Sequence, residues 1–375
     1  MGELSADRLL SQRSRAVNAS GIRKVFDLGA KIANPINLSI GQPDFDVPPD
    51  VRQAAIQAIQ SRQNGYTVTQ GIAPLRERIA ADLRAECGSP LPVLITSGVS
   101  GGILLALMAA LDPGDEVVLG DPYFVIYKHA ARLVGGVPVF VDTYPDFKFR
   151  ADRYEAAITP RTKILVLATP SNPTGVVLAD DELRQAADLA ERHNILLLID
   201  EIYNKLNYDG ECPCSLRHAP HRTLLLRGFG KSYGMTGWRL GYAAGPQFLI
   251  EEMTKLQQYT FVCAPSMVQH AGLAALDADI SGHVDDYRRK RDLVARLLAG
   301  TFEFAKPSGG FYFFPQAPKR FADATTFVEQ AIAQRVLIIP GSVFSERDTH
   351  FRLSYATSDK NIERGCEILC QLARG

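Results

Sequence analysis

One lysine, Lys231, stands at a position where lysine is unusual. It follows an apolar run at residues 223–226 and lies beside two glycines, Gly228 and Gly230. A lysine just past a buried strand is poorly hydrated, and burial lowers the proton affinity of an amine and makes it nucleophilic. The position therefore predicts an amine that can bond covalently to a carbonyl carbon. For this residue taken alone, an ordinary loop cation is the alternative.

A second candidate is the carboxylate of Asp200, which ends the apolar run at residues 195–199. A buried carboxylate needs a partner, and a protonated ring nitrogen is one such partner. The alternative is that Asp200 caps a helix. Tyr203 follows three residues later and faces a similar direction if a helical turn begins there. Asp200 and Tyr203 are therefore candidates for contact with a heterocycle.

Two loops and an arginine provide groups suited to an anion and to a polar ring. Residues 97–102, SGVSGG, precede an apolar segment, and a glycine-rich turn that opens a helix presents free backbone amides to a phosphate. Asn172 lies between two prolines, which fix the direction of its amide. Both loops could equally be plain structural turns. Arg239, eight residues after Lys231, adds a guanidinium group.

These side chains require a scaffold, and the order of apolar runs indicates one. Continuous Val, Ile and Leu runs alternate with amphipathic helical patterns, which predicts a mostly parallel seven-stranded sheet covered by helices. Ligands of such sheets bind at the carboxyl ends of the strands, where the candidates above lie. The strands are expected at residues 92–96, 116–119, 137–141, 163–168, 195–199, 223–226 and 240–244, with a helix at 180–192.

The pattern changes after about residue 275. A long charged helix and several short strands follow, and the first 45 residues have no sheet-core pattern of their own. We therefore expect an α/β protein with a large domain at 46–275 and a smaller α+β domain formed by 1–45 and 276–375. The later elements are expected at residues 283–298 (helix), 310–314, 336–339 and 351–355 (strands), before a final helix.

Composition excludes several classes of protein. Lys and Arg number 41, as do Asp and Glu, so no basic excess predicts nucleic-acid binding. No apolar run approaches the roughly 20 residues needed to cross a bilayer, and the N-terminus has no apolar signal core. We therefore expect a cytoplasmic protein without membrane or nucleic-acid partners. The six cysteines are scattered, and Cys212 and Cys214 near two histidines fit no zinc spacing, so no metal is expected.

Taken together, the candidate groups match the needs of pyridoxal 5′-phosphate. A lysine holds the aldehyde of this cofactor as an imine, and a carboxylate keeps its pyridine nitrogen protonated so that the ring accepts electrons. Lys231 and Asp200 are the candidates for these two roles. The remaining candidates are Asn172 and Tyr203 for the phenolate oxygen, the glycine turn and Arg239 for the phosphate, and Phe124 for the ring face.

The sequence resembles the fold-type I pyridoxal-phosphate-dependent aminotransferases of class I/II, and most of all their prokaryotic aspartate and aromatic branch. The resemblance runs from about residue 38 to residue 358, with the family's motifs in the family's order. These motifs are LSIGQPDF at 38–45, YTVTQGIAPLR at 66–76, LDPGDEVV at 111–118, PSNPTG at 170–175, DEIY at 200–203, GKSYGMTGWRLGY at 230–242 and FRLSYATS at 351–358.

The resemblance implies a role for each matching residue. Lys231 is then the Schiff-base lysine and carries the proton between the substrate α-carbon and cofactor C4′, with Asp200 and Tyr203 also catalytic. Tyr66 is expected to reach the phosphate in the partner subunit, which implies a homodimer with shared active sites. The implied cofactor contacts are Lys231, Val99, Ser100, Phe124, Asn172, Asp200, Tyr203, Arg239 and Tyr66; the implied substrate contacts are Gly41, Asn172 and Arg352.

The implied reaction moves the amino group of an L-amino acid to a 2-oxo acid, with 2-oxoglutarate expected as the acceptor, in a ping-pong cycle. Aspartate and aromatic amino acids are the possible donors. The alternatives are a β-lyase that cleaves carbon–sulfur bonds and a non-catalytic effector module of the same fold. The sequence departs from the family at Gly228 and Gly230, where many relatives carry hydroxyls, and at Ser100, where some aspartate-specific relatives carry lysine.

Overall fold

The computed structural model describes residues 5–88, 90–210 and 212–375. The strands are β1 (Ile36–Asn37), β2 (Val93–Ser97), β3 (Glu116–Asp121), β4 (Val137–Asp142), β5 (Thr162–Ala168), β6 (Leu196–Asp200), β7 (Thr223–Gly228), β8 (Leu240–Ala244), β9 (Tyr312–Phe313), β10 (Val336–Leu337), β11 (Ile339–Pro340) and β12 (Phe351–Ser354). The helices are α1 (Ala6–Leu9), α2 (Gln12–Arg15), α3 (Gly21–Gly29), α4 (Pro49–Gln60), α5 (Ala73–Cys87), α6 (Gly98–Ala110), α7 (Val125–Leu133), α8 (Ala151–Glu155), α9 (Asp180–Arg192), α10 (Gln247–Gln258), α11 (Ser266–Asp277), α12 (Ser281–Leu298), α13 (Ala324–Ala333) and α14 (Asp359–Arg374).

The central sheet has seven strands in the order β2-β8-β7-β6-β5-β3-β4. All neighbours are parallel except at β8, which runs antiparallel to both β2 and β7. The predicted mostly parallel seven-stranded sheet is confirmed, and each predicted strand matches an observed one to within two residues at either end.

The inner strands of the central sheet bury both of their faces, which explains their continuous apolar sequences, whereas the edge strand β4 is partly exposed. Successive side chains of a strand point to opposite faces. On β6, Leu198 packs into the core that contains α6 and α10, whereas Leu197 and Ile199 pack into the core that contains α9. Helices therefore cover the sheet on both sides, and the ligand-accessible part of the sheet is its edge of strand ends.

The reversed direction of β8 brings an additional loop to that edge. The carboxyl ends of β2, β5, β6 and β7 lie on one side of the sheet because these strands are parallel. Since β8 is antiparallel to them, the segment before β8 lies on that same side. Arg239, which precedes β8, thus lies beside residues that follow the other strands.

The C-terminal region forms a second set of sheets with the beginning of the chain. Strand β1 pairs in parallel with β10, and β11, β12 and β9 form an antiparallel sheet. Leu38 is fully buried in the same apolar cluster as residues of α12 and α14. The division into a large domain at 46–275 and a smaller domain of 1–45 and 276–375 stays a prediction, and residues 1–4 lie outside the described part.

Three of the elements expected in the C-terminal region differ clearly in extent from the structure. Helix α12 begins at Ser281 rather than at 283, the predicted strand at 310–314 is limited to β9, and the predicted strand at 336–339 is divided into β10 and β11. Over the described ranges, no helix combines the length and apolarity required of a membrane span. The same ranges contain no cluster of three or more His, Cys, Asp or Glu side chains that could hold a metal.

Candidate active site

A cavity of about 300 Å³ opens at the edge where the central strands end. Its walls combine charged, aromatic and backbone groups from the central-sheet region and from the N- and C-terminal regions. The lining includes Ile22, Gly41, Gly98, Val99, Ser100, Phe124, Tyr127, Asn172, Asp200, Tyr203, Lys231, Thr236, Arg239, Tyr312 and Arg352.

Lys231 reaches this cavity from the turn that follows β7. Its ammonium group donates a hydrogen bond to the carbonyl oxygen of Gly41. Burial lowers the pKa of Lys231 to about 8, and the guanidinium groups of Arg352 and Arg239 act in the same direction, whereas Asp200 opposes them. A sizeable fraction of this amine is therefore neutral near neutral pH and able to act as a base or nucleophile.

Asp200 is buried at the carboxyl end of β6, with 4% of its surface exposed. Its Oδ2 accepts a hydrogen bond from the Tyr127 hydroxyl at 2.8 Å, and its Oδ1 accepts one from the Ile202 amide at 3.0 Å. Burial raises the pKa of Asp200 to about 6, although both donors act against the rise. The group is thus a carboxylate that gains from a cationic partner placed in the cavity.

The start of α6 lines the cavity with Gly98, Val99 and Ser100. Ser97 makes no side-chain capping bond to the described part of the chain, so the first amides of α6 point into the cavity region uncapped. Gly98 has φ +68°, and a side-chain carbon there would lie 2.6 Å from Arg239 Nη2. Arg239 itself is anchored by a 3.1 Å bond from Nη1 to the carbonyl oxygen of Thr236.

The extent of α6 corrects the predicted glycine turn. The sequence predicted a loop at 97–102 before a helix, but α6 begins at Gly98, so Val99 and Ser100 belong to its first turn. Gly101 and Gly102 continue the helix. Leu226 Cδ2 lies 2.8 Å from where a side-chain carbon of Gly102 would be. Close packing of α6 on the sheet, rather than loop flexibility, accounts for Gly102.

Arg352 lies on β12 with 1% of its surface exposed. Its Nη1 donates to Asn172 Oδ1 at 3.0 Å and its Nη2 donates to the carbonyl oxygen of Ser39 at 2.8 Å. Within the described ranges no carboxylate pairs with this guanidinium, and its Nε has no hydrogen-bond partner. A buried cation held by neutral groups favours an anionic ligand, here a carboxylate that the planar fork can bind.

Tyr203, Tyr312 and Gly41 line the cavity together with Arg352. The hydroxyls of Tyr203 and Tyr312 lie 3.1 Å apart, and both residues are buried. A side-chain carbon at Gly41 would lie 2.6 Å from the Tyr312 hydroxyl oxygen, so this position accepts glycine alone without a shift. Gly41 thereby places its carbonyl within reach of Lys231.

Phe124 and its neighbour Tyr123 lie in different surroundings. Phe124, at the start of α7, lines the cavity. Tyr123 points elsewhere: its ring packs on Phe140 and its hydroxyl donates to Glu346 at 2.6 Å. Tyr66 does not line this cavity and keeps 88% of its surface exposed in the single chain.

The two glycines that depart from the family pattern are not equivalent. A side-chain carbon at Gly228 would lie 2.9 Å from Ile202 Cδ1 and 3.0 Å from Val99 Cγ2, so this site has no room for a larger residue. At Gly230 the nearest atom would be Thr236 Cα at 3.5 Å, an ordinary contact distance. Packing therefore explains Gly228, and nothing in the structure explains Gly230.

Sequence reasoning missed Tyr127 and Tyr312. A helical signal was present for Tyr127, because it follows Phe124 by three residues and so lies on the same face of α7. Tyr312 had no such signal, since its proximity to Tyr203 and Arg352 depends on long-range packing of β9. Ile22 also lines the cavity, whereas Tyr233, near Lys231 in the sequence, packs against Phe229 in another core cluster.

Comparisons with known proteins agree with this geometry. Residues 33–369 match the family described as aminotransferase class I and II. The chain is 38% identical to the putative aminotransferase YugH of Bacillus subtilis, over 97% of each chain. It is 36% identical to aromatic-amino-acid aminotransferase 2 of Thermococcus litoralis, over 96% of each.

Solved structures give the same result. Aspartate aminotransferase from Thermus thermophilus with maleate superposes with a TM-score of 0.93 at 35% identity, covering 97% of this chain and 99% of that one. The predicted fold-type I architecture is therefore confirmed, and these similarities do not favour the carbon–sulfur lyase alternative. The chain belongs to the class I and II aminotransferases, enzymes that depend on pyridoxal 5′-phosphate.

Proposed function

We propose that this aminotransferase passes the amino group of an aspartate or aromatic L-amino acid to 2-oxoglutarate in a ping-pong cycle. The observation that carries the proposal is the meeting, in one cavity, of the Lys231 amine, the Asp200 carboxyl group and the Arg352 guanidinium group. A base, a group that can pair with a ring cation and a carboxylate receptor are what the transfer requires.

The residues of the cavity suit pyridoxal 5′-phosphate. The uncapped start of α6 and Arg239 would hold the phosphate, since glycine at position 98 lets the guanidinium group lie against the start of the helix. Lys231 would hold the aldehyde carbon. When bound, the cofactor supplies a ring that stores the electrons released when the donor's Cα–H bond breaks. The ring contacts would come from Asp200 at the nitrogen, Asn172 and Tyr203 at the phenolate oxygen and Phe124 at the face.

Asp200 is prepared for a cationic partner. Its buried carboxyl group has a pKa of about 6, so burial makes the carboxylate costlier than in water although the group is largely ionised near neutral pH. A protonated ring nitrogen beside Oδ1 or Oδ2 would compensate that cost, and the Tyr127 hydroxyl holds the carboxyl plane in position. The negative charge of Asp200 would thus stabilise the protonated form of the ring nitrogen.

Lys231 is the proposed proton carrier. Its Nζ would take the α-proton of the amino donor in the first half of the cycle and return a proton to the α-carbon of the product amino acid in the second half. The lowered pKa of about 8 supports this role, since the neutral amine is the active base. Arg352, with Asn172 beside it, would hold the α-carboxylate and so orient the Cα–H bond toward Nζ.

We further propose a homodimer with shared active sites. Tyr66 is 88% exposed in the single chain, which is unusual for a large aromatic side chain, and the comparable exposure of Tyr259 supports a covered surface in the assembly. In this arrangement Tyr66 reaches the phosphate site of the partner. The proposal predicts a mass of two chains in solution, and a monomer at micromolar concentration would contradict it.

The test of the proposed reaction uses a half-reaction. The cofactor-loaded enzyme is mixed with single amino acids, and the change in visible absorbance and the release of the 2-oxo acid are followed. We expect Lys231→Ala to lower the rate by at least about 10³-fold, since a positioned general base contributes about 10²–10⁴-fold and the covalent link is lost as well. Lys205→Ala, at an exposed lysine outside the cavity, is the matched control and should keep the wild-type rate.

Steady-state kinetics test the order of events. Varying an amino donor at several 2-oxoglutarate concentrations should give parallel double-reciprocal lines, because the first product leaves before the second substrate binds. Intersecting lines, or product formation without any 2-oxo acid, would contradict the ping-pong transfer. Near wild-type transfer by Lys231→Ala would refute the assignment of the base.

A further inference from the structure

We propose that Tyr312 is a positioning residue that couples the carboxylate-binding arginine to the tyrosine at the cofactor's phenolate oxygen. The inference rests on the proposed function, because it concerns the same cavity. Tyr312 lies on β9 and lines the cavity wall between Tyr203 and Arg352. It contacts both residues through different parts of its side chain.

The hydroxyl of Tyr312 serves Tyr203. The two hydroxyl oxygens lie 3.1 Å apart, and either can donate. If Tyr203 donates its proton toward the cofactor, it must accept one from Tyr312. A hydroxyl that accepts a hydrogen bond becomes a stronger donor, so Tyr312 strengthens the bond from Tyr203 to the phenolate oxygen.

The ring of Tyr312 serves Arg352. The guanidinium carbon lies 4.4 Å from the centre of the Tyr312 ring and 4.6 Å from the centre of the Phe344 ring. The cation is therefore enclosed by two aromatic faces, which fix its plane while Asn172 and Ser39 hold two of its nitrogens. Strand register explains the contact: Tyr312 pairs with Ser354, whose side chain lies on the same face of β12 as Arg352.

Packing against Gly41 limits where Tyr312 can move. A side-chain carbon at Gly41 would lie 2.6 Å from the Tyr312 hydroxyl, so Tyr312 packs closely against the glycine whose carbonyl oxygen accepts the hydrogen bond from Lys231. A displacement of Tyr312 would therefore change the surroundings of Lys231, Tyr203 and Arg352 together. This shared contact is what separates Tyr312 from a tyrosine that only fills the core.

The experiment separates the hydroxyl from the ring. Tyr312→Phe keeps the ring, and Tyr312→Leu removes it. In Tyr312→Phe, the pH midpoint of the visible absorption band of the cofactor-loaded enzyme should rise by about 0.5 pH unit, because a weaker donor at the phenolate oxygen raises the pKa of the linked nitrogen. Its KM for the amino donor should stay close to that of the wild type.

In Tyr312→Leu, the midpoint should rise similarly and the dissociation constant of an unreactive carboxylate such as maleate should rise about tenfold, because one aromatic face of Arg352 is lost. Tyr144→Phe is the matched control. Tyr144 is also buried, shares a 3.0 Å hydroxyl bond with Ser345 and has Arg347 over its ring at 4.7 Å, but it lies outside the cavity lining. It should leave both quantities unchanged.

The outcomes distinguish this inference from the proposed function. If Tyr203→Phe shifts the midpoint but Tyr312→Phe does not, the hydroxyl relay is refuted while the cofactor placement stands. If neither variant shifts it, the placement of Tyr203 at the phenolate oxygen fails and the relay fails with it. Unchanged maleate binding in a folded Tyr312→Leu would refute the role of the ring.

Discussion

Replacing Tyr127 by phenylalanine removes the hydroxyl that donates to Asp200 Oδ2 at 2.8 Å and keeps the ring that fills the same space. The pKa of Asp200, about 6 in the native protein, should then rise further, because the ionised carboxylate loses a donor while its burial is unchanged. A hydrogen bond to a charged group contributes about 1.5–3 kcal/mol, which corresponds to a pKa rise of about 1–2 pH units.

This rise makes the cost of the substitution depend on pH. An unfolded aspartate titrates near 3.9, so a carboxyl group with a raised native pKa binds its proton more tightly in the folded state, and stability falls as the pH increases between the two values. In the wild type this window ends near the native pKa of about 6. In Tyr127→Phe it extends to about 7–8, so the cofactor-free variant should lose about 1.5–3 kcal/mol more at pH 8.5 than at pH 5.

Thermal melting of the cofactor-free protein measures this difference. An unfolding entropy of about 2.1 cal/mol/K per residue gives about 0.8 kcal/mol/K for the whole chain, so the extra loss corresponds to about 2–4 °C in Tm at pH 8.5. The same substitution in an Asp200→Asn background provides the control, since no carboxyl group remains to titrate at that position. An equal decrease in Tm at pH 5 and pH 8.5 with Asp200 present would refute the reasoning.

Two further substitutions test the other walls of the cavity. Gly41→Ala places a carbon 2.6 Å from the Tyr312 hydroxyl, so it should destabilise the protein by about 1–3 kcal/mol and raise the KM for the amino donor. Gly282→Ala is the control, since there is open space around Gly282, and it should have neither effect. Equal melting temperatures of the two variants would contradict the contact. Arg352→Lys keeps the charge but loses the fork that contacts Asn172, so the donor KM should rise about 10–100-fold in steady-state assays, and an unchanged KM would exclude Arg352 as the carboxylate receptor.

Much of the fold was predictable because buried parallel strands have a distinctive sequence. The run at 195–199 is wholly apolar, and the helix at 180–192 has its apolar residues on one face, so both were located to within one residue. The short strands of the C-terminal region were less exact. β10 and β11 are two residues each, and their division depends on pairing with β1 and β12 rather than on their own composition.

The site was predictable where a polar residue ends an apolar strand. Asp200 ends β6 and Lys231 lies in the turn just after β7, and both line the cavity. The hydrogen-bond partners had no comparable signal. Arg352 Nη2 bonds to Ser39, 313 positions earlier in the chain, and no local pattern links the two. The orientation of such groups follows from tertiary packing. The strand and helix periodicities of 2 and 3.6 residues carry information about local structure only and do not predict this packing.

The same long separations set an order of assembly during synthesis. All strands of the central sheet have been made once β8 is complete, and domains generally fold as units from the N-terminal side. The sheet edge that carries the start of α6 and the Lys231 amine can therefore form before β12 has left the ribosome. Arg352 arrives last and then binds back to the carbonyl of Ser39. A growing chain thus completes the proposed cofactor-binding edge of the sheet before Arg352, the proposed carboxylate receptor, is in place.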